Sequence, residues 1–460
     1  MLTMRLSIPL LLTSALLSSP AFPETTVGLD EPSARFAEVL QAYADVYGFS
    51  GALRVARGET VLSESAVGLA DRSFTVPFTP GTRNSINSIS KVFTVAAAMR
   101  LVERGALDLD LAVSHYLPDL GAPWQERVTV RQLLAHRSGL PREAGLDASD
   151  ERELEAIMPT VAALPLVSEP GERYAYSNAG VALLGRVLEV ASGLDLPELI
   201  EDEVLSPLDL NDTGMYRGRQ LVERQARPYR MGAAGVVHAQ RSKTLGESAG
   251  GGLYSTVADL HRFVRALRQP GYLQQASLDT MFAPASGELG SDYEALGWSI
   301  KYFGEERLWF AAGSGYGTKS VILYSPVTEE FIGLVSNWGN TPILDLLRDV
   351  YLSLKGQDVR LPSRDQLASV EEFRARLGLY RFDEEQLRQT LQVADGLVRL
   401  HSVDGKLFMD DELMARGEGG ALRLTYTDEL QIRFEDDAMW LEINGQRLRG
   451  ERVERRPRIP

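Results

Sequence analysis

Ser88-Ile89-Ser90-Lys91 runs without a break into Val92-Phe93-Thr94-Val95-Ala96-Ala97-Ala98-Met99-Arg100-Leu101-Val102-Glu103, a polar tetrapeptide joined to an apolar stretch of helical periodicity. Gly105 follows as a stop signal. The spacing predicts a helix over 91–103 with Ser88 at its first turn. Lys91, three residues on, then lies on the same face, and its amine reaches the hydroxyl. A serine hydroxyl is a poor nucleophile until a base takes its proton, and a lysine is such a base where burial and the positive helix end favour the neutral amine. The main-chain N–H of Ser88 is a further asset, because it can donate to an oxyanion. A capping serine followed by a surface lysine gives the same four letters. Composition weighs against that reading. The 48 basic residues comprise six Lys, at 91, 243, 301, 319, 355 and 406, so 48 − 6 = 42 are Arg, and Lys91 alone has a serine three positions earlier. A chain that uses Arg for surface charge has placed a Lys where an amine able to deprotonate is useful.

Further along, Tyr176-Ser177-Asn178 follows the turn Glu169-Pro170-Gly171-Glu172 and opens the helical run Ala179-Gly180-Val181-Ala182-Leu183-Leu184. Tyr176 can carry a proton between Ser88 and a leaving group, since a nearby ammonium favours the phenolate. Asn178 is expected to orient Lys91 and to hold a substrate carbonyl. A buried tyrosine beside an asparagine helix cap is the structural alternative.

Outward from these motifs, the chain divides into four parts. Residues 1–21 read as a signal peptide, with one positive charge in Met1 to Arg5, an apolar run from Leu6 to Leu17, and small residues at Ser19-Pro20-Ala21. That run is too short to span a bilayer, which takes about 20 residues. An exported mature chain starting near Phe22 is expected, periplasmic or secreted, with no later transmembrane segment. Residues 29–355 read as one large mixed domain. A β-hairpin within 49–72 opens it, helices are expected near 130–136, 179–192 and 257–267, and strands at 296–303, 319–324 and 331–336. Residues 356–376 read as a linker with a short helix. Residues 377–456 carry short strands at 391–401, 406–409, 422–426, 430–434 and 440–443, separated by Asp-Gly, Gly-Gly and Asn-Gly turns, a small antiparallel β-domain.

Composition removes whole classes of function. With 63 acidic against 48 basic residues the net charge is −15, and no basic footprint for nucleic acid exists. The absence of cysteine excludes thiol nucleophiles, disulfides, iron–sulfur clusters and thiolate zinc sites. His115, His238, His261 and His401 show no metal-ligand spacing, and Gly250-Gly251-Gly252 lacks the Lys and Ser or Thr of a phosphate loop. No metal and no cofactor are expected.

The two motifs are similar to the first two of the serine penicillin-recognising family, in the branch of class C β-lactamases, D-alanyl-D-alanine carboxypeptidases, D-aminopeptidases and family VIII esterases. The resemblance continues through Leu101-Val102-Glu103-Arg104-Gly105-Ala106-Leu107-Asp108-Leu109-Asp110, Tyr116-Leu117-Pro118, Leu133-Leu134-Ala135-His136-Arg137-Ser138-Gly139-Leu140-Pro141 and Gly251-Gly252-Leu253-Tyr254-Ser255-Thr256. It covers roughly 29–355. It implies an α+β, β-lactamase/transpeptidase-like fold: an antiparallel sheet flanked by helices, plus a helical subdomain, followed here by a small barrel-like β-domain that opens at Leu377-Gly378-Leu379-Tyr380.

The third family motif, Lys-Thr-Gly or His-x-Gly, is where the chain departs. The matching stretch is Ala311-Ala312-Gly313-Ser314, with Ala311 at the cationic position. Gly313 fits a strand edge that a substrate approaches closely, and Ser314 N–H is expected to complete the oxyanion hole with Ser88 N–H. Lys319 reads as a surface lysine, or as a charge supplied from a shifted position. His136 reads as packed and hydrogen-bonded.

The implied activity is that of a serine hydrolase acting through an acyl-enzyme on a small-molecule ester, peptide or amide, with Ser88, Lys91 and Tyr176 catalytic and Asn178, Gly313 and Ser314 binding or orienting. Ala311 favours an esterase or peptidase over a β-lactamase or a D-Ala-D-Ala carboxypeptidase. The rival is a noncatalytic protein of the same fold that binds peptides or cell-wall fragments in the cleft.

Overall fold

A computed structural model describes residues 32–143, 154–217, 220–232, 235–239, 249–287, 289–315, 317–391, 396–403, 405–410, 412–425, 427–443 and 445–453. The leader assigned to 1–21 lies outside these residues.

Helix α1 (Pro32–Tyr47) precedes β1 (Gly51–Arg57) and β2 (Thr60–Val67), which form the hairpin foreseen within 49–72. The helical part follows, with α2 (Ser90–Glu103) and α3 (Asn178–Ser192) at its centre. A small hairpin, β3 (Tyr229–Gly232) and β4 (Gly235–His238), leads back to the sheet. β5 (Tyr293–Glu294), β6 (Ser299–Phe303), β7 (Glu306–Gly315), β8 (Thr318–Tyr324) and β9 (Glu330–Ser336) then run antiparallel in sequence order, and β9 pairs with β1. The sheet therefore reads β5-β6-β7-β8-β9-β1-β2. Its last partner, α4 (Ile343–Leu354), closes this unit.

Alternation along the strands separates two cores. Leu308, Phe310, Val321, Leu323, Ile332 and Leu334 face α1 and α4, together with Phe36, Leu40, Leu346 and Val350. Trp309, Ala311, Ile322, Tyr324 and Val335 face the helical part, where α2 is buried on nearly every side among α3 and the surrounding helices. A helix that is apolar all round belongs in the interior, which explains why Lys91 is buried with it.

Eight strands from Gly378 to Val453 close into an antiparallel barrel. Its interior is filled by alternate residues such as Val398, Leu407, Met409, Met414, Ile432 and Leu441. Leu391, read as the start of a strand, instead ends a helix, Glu384–Leu391, whose Leu387 is buried, and the strand described here runs from Leu397 to Val403. Phe408 and Leu413 are cross-strand partners on the outside of the barrel, and both are sunk into the core beneath α1 and α4. Fully burying side chains of this size stabilises by about 1.5–3 kcal/mol each, so the barrel is docked and not merely tethered.

Asn337 ties the sheet to its surroundings. Its Nδ2 donates to the carbonyls of Leu69 (3.0 Å), Ala70 (3.2 Å) and Arg227 (2.9 Å) in a site closed to solvent. Asn337→Leu keeps the volume but takes this donor from Arg227 O, while Leu69 O and Ala70 O keep Ser50 Oγ and Arg227 N–H, and a loss of about 1–3 kcal/mol is expected in urea unfolding. A change below about 0.5 kcal/mol would mean the Arg227 carbonyl finds another donor.

Candidate active site

The chain enters α2 through a tight turn, Asn87–Ile89, which continues directly into the helix. Asn87 is held at φ 48°, a left-handed conformation that asparagine tolerates better than most residues. Its Nδ2 donates to Thr318 Oγ1 at 3.0 Å, and its Oδ1 accepts from Ser85 Oγ at 3.3 Å. The side chain that follows it, Ser88, stands at the junction of the helical part and the sheet.

Lys91 Nζ donates to Ser88 Oγ (3.1 Å) and to the carbonyl of Gly250 (2.7 Å). Tyr176 OH lies 2.9 Å from Ser88 Oγ. One hydroxyl is thus bracketed by an amine and a phenol, both within proton-transfer reach. The helix carrying Lys91 is stitched to the segment that supplies Gly250 by two further contacts: Thr94 Oγ1 donates to Ala249 O (2.7 Å) and Leu253 N–H to Ser90 Oγ (3.0 Å). A Cβ at Gly250 would come within 3.3 Å of Lys91 Nζ, so a glycine lets the carbonyl approach.

The Tyr176 ring is flanked by cations and by His136. Lys91 Nζ and Arg142 Cζ are each 4.9 Å from its centroid, and the His136 ring is 4.5 Å away, tilted by 33°. His136 Nδ1 accepts from Ser177 N–H at 3.2 Å, which puts the proton of the neutral ring on Nε2. Burial, seconded by Lys91 and Arg142, pushes its pKa down to about 3. A ring so reluctant to take a proton is packing for Tyr176 and a poor general base at neutral pH.

Asn178 differs from expectation. Its Nδ2 donates to Glu143 Oε1 at 2.7 Å and its N–H to Arg142 O at 2.8 Å, whereas the partners of Lys91 are Ser88 and Gly250. Asn178 therefore anchors the loop carrying Arg142 and Glu143 and does not orient Lys91. Partial burial raises the Glu143 carboxyl above its ordinary value, with the Asn178 amide, Arg142 and Lys91 opposing.

The third motif lies on β7. Past Phe310, the partner of Ser299, β7 pairs only with β8, and its free edge faces the turn before Ser88. A Cβ at Gly313 would sit 2.1 Å from Ile86 O, and one at Gly315 2.2 Å from Asn87 Oδ1. Ala311, on the same face, is buried in the helical core. This side of the strand has no room for any side chain at 313, and the position of the family's cation, 311, holds a buried alanine. On β8, Lys319, directly opposite Ser314, donates from Nζ to Ser314 Oγ at 2.9 Å on the other face. Lys319 thus stands on the face turned away from the turn before Ser88, in keeping with the reading as a surface lysine.

Sequence reasoning passed over Gly250, Asn87, Glu143 and Arg142. Gly250 acts through its carbonyl and leaves no side-chain signal, while Asn87, next to Ser88, offered only its identity. Among the described residues no group of three His, Asp or Glu is placed to hold a metal ion, and no helix is long and apolar enough to cross a membrane.

An antiparallel sheet between helices, with a serine, a lysine and a tyrosine at its junction with a helical part, defines the β-lactamase/transpeptidase-like class. The profile of the family described as Beta-lactamase matches residues 36–353, well over half of the chain, and the chain belongs to that family. It is 28% identical to "Penicillin-binding protein 4*" of Bacillus subtilis over 285 residues, 57% of this chain and 62% of that protein, so the match spans about three fifths of the relative's length. It is 30% identical to "Esterase EstB" of Burkholderia gladioli over 289 residues, 54% of this chain and 73% of that one. Among solved structures, the octameric penicillin-binding protein homologue from Pyrococcus abyssi has the same fold at 22% identity, with a TM-score of 0.64 over 90% of this chain and 99% of that one. That likeness extends beyond the segment the family profile covers.

The His136 environment makes a pH prediction. Its folded pKa, about 3, is below the ordinary 6.5, so the fold favours the neutral ring; the stabilisation is complete above pH 6.5 and is lost as pH falls toward 3. Between pH 7 and 4.5 the chain should lose about 2–3 kcal/mol more than His136→Gln does, measured by urea unfolding at both pH values. Equal losses would show that the ring is charged or solvated in the fold.

Proposed function

We propose that this protein hydrolyses an ester or an amide through an acyl-enzyme on Ser88, as an esterase or peptidase in preference to a β-lactamase. The observation that carries this reading is the position of Ser88 Oγ within hydrogen-bond reach of both Lys91 Nζ and Tyr176 OH. In the proposed cycle the Lys91–Tyr176 pair takes the Ser88 proton as Oγ bonds to the substrate carbonyl carbon. The oxyanion is met by the main-chain N–H groups of Ser88 and of Ser314 on the free edge of β7. Collapse breaks the bond to the leaving alkoxide or amine, which receives the proton through Tyr176. Water attacks the acyl-enzyme, the same pair handles its proton, and Ser88 is released with the acid.

The preference among substrates rests on β7. Where relatives of the penicillin-recognising family carry a cation, this strand has buried Ala311 and a Gly313 pressed against Ile86 O, which disfavours substrates held by a carboxylate at that point. The esterase among its relatives is in keeping with that preference. An exported location belongs to the same proposal, supported by the leader-like residues 1–21.

Mass spectrometry of the folded chain after a fluorophosphonate and, separately, a penicillin tests the reading. A fluorophosphonate adduct at Ser88, absent from Ser88→Ala, is expected. Lys91→Ala and Tyr176→Phe should each lower kcat on an activated ester by about 10²–10⁴ with a smaller change in KM. A stable or turned-over penicillin adduct would overturn the substrate preference. No adduct from either reagent would make the cleft a binding site for peptides or cell-wall fragments.

A further inference from the structure

Among the described residues the barrel shares no hydrogen bond with Ser88, Lys91 or Tyr176, yet an apolar cluster, a turn and a hydrogen bond link it to the residue before Ser88. Phe408 and Leu413 sit in one apolar cluster with Val46, Tyr47, Tyr229, Met231 and Trp338. Lys406 Nζ donates to Val46 O at 3.0 Å, and Val403 packs on the same cluster beside Gly235 of β4, where a Cβ would lie 4.0 Å from Val403 Cγ1. The β3-β4 hairpin is thus backed by the barrel. Its own main chain is fixed on the sheet side: Tyr229 N–H donates to Asn337 O (2.9 Å), Gly339 N–H to Tyr229 O (2.9 Å), and Met231 N–H to Asn340 Oδ1 (2.9 Å).

Opposite the barrel, β3 presses on the turn between β7 and β8. Gly317 has φ 75°, and a Cβ there would lie 2.6 Å from Ala239 Cβ and 2.8 Å from Tyr229 N. A glycine in that conformation permits the closest approach two backbones can make. The next residue, Thr318, accepts from Asn87 Nδ2, and Asn87 is the left-handed residue immediately before Ser88. Asparagine tolerates this conformation without requiring it, so its side-chain partners help to select it. Thr318 is one of the groups that does so, and Thr318 is placed by a turn wedged against β3.

We infer that the barrel is a positioning element of the active site: docked, it holds the β3-β4 hairpin against Gly317 and, through Thr318, keeps Asn87 in the conformation that presents Ser88 to Lys91 and Tyr176. Phe408, Leu413 and Val403 are then positioning residues that touch no reacting atom. The inference rests on the serine-hydrolase reading of Ser88 and gives the barrel a part in it.

The test measures the second-order rate of fluorophosphonate labelling of Ser88, with kcat and KM for an activated ester, in the full chain. Two charged variants are compared, Phe408→Asp with Leu413→Asp, and Val403→Lys, and Phe408→Leu serves as the conservative control. Protease cleavage within 356–376 reports undocking, and circular dichroism reports that the units remain folded. Labelling and kcat should fall about tenfold in the charged variants while KM moves less than about twofold, and Phe408→Leu should keep both near the parent's values. If the double variant does not fold, Val403→Lys, at a half-buried site, decides alone. Labelling at the parent's rate in the folded charged variants overturns the inference. A parent chain that takes no fluorophosphonate at all overturns the hydrolase reading instead, and does so before any substitution is made.

Discussion

An amine taken out of water has to be given acceptors, and in this protein that requirement organises the site. Lys91 lies on a helix buried on nearly all sides, where an unpaired ammonium or amine is costly. The carbonyl of Gly250 and the hydroxyl of Ser88 meet the requirement. Because one acceptor is the hydroxyl proposed as nucleophile, the contact that makes burial tolerable also couples the amine to that hydroxyl. Stitching of α2 to the segment 249–253 and the clamp of Ser88 by Tyr176 follow from holding these few atoms in register.

Charge around the phenol is arranged to the same end. Two cations border the Tyr176 ring and a neutral histidine packs on it, a histidine kept uncharged by its own burial and by those same cations. The carboxylate in the neighbourhood, Glu143, is held by the Asn178 amide. On the sheet side, small residues along one face of β7 let the strand lie against the turn before Ser88, and Lys319 of the neighbouring strand stands on the opposite face.

Much of this was legible in the sequence, for identifiable reasons. A three-residue spacing at a helix start fixes which side chains meet, so the contact of Ser88 with Lys91 could be read from local geometry. Alternation and turn residues exposed the β-domain, and family order exposed the larger fold. What escaped has a common physical character. The Gly250 carbonyl belongs to the backbone, which every residue carries. Asn178 was assigned by its type, but its partner was decided by a loop 35 residues earlier in sequence. The full length of β7 was hidden because Ala311-Ala312-Gly313-Ser314-Gly315 has little strand propensity, and its pairing with β8 overrides that. The helix Glu384–Leu391 was missed for a simpler reason, since eight residues carry few periods of any pattern.

The groups that hold the Ser88 hydroxyl and its lysine come from both near and distant parts of the chain. Lys91 is a near neighbour, but Tyr176 is 88 residues away and the carbonyl that holds Lys91 is 159 residues from it. Such contacts form only after long loops have closed, late in the assembly of a chain. An emerging or partly folded chain therefore carries the serine without its activation. On the proposed reading, reactivity at Ser88 is a property of the finished tertiary structure, and the route to that structure keeps the nucleophile masked.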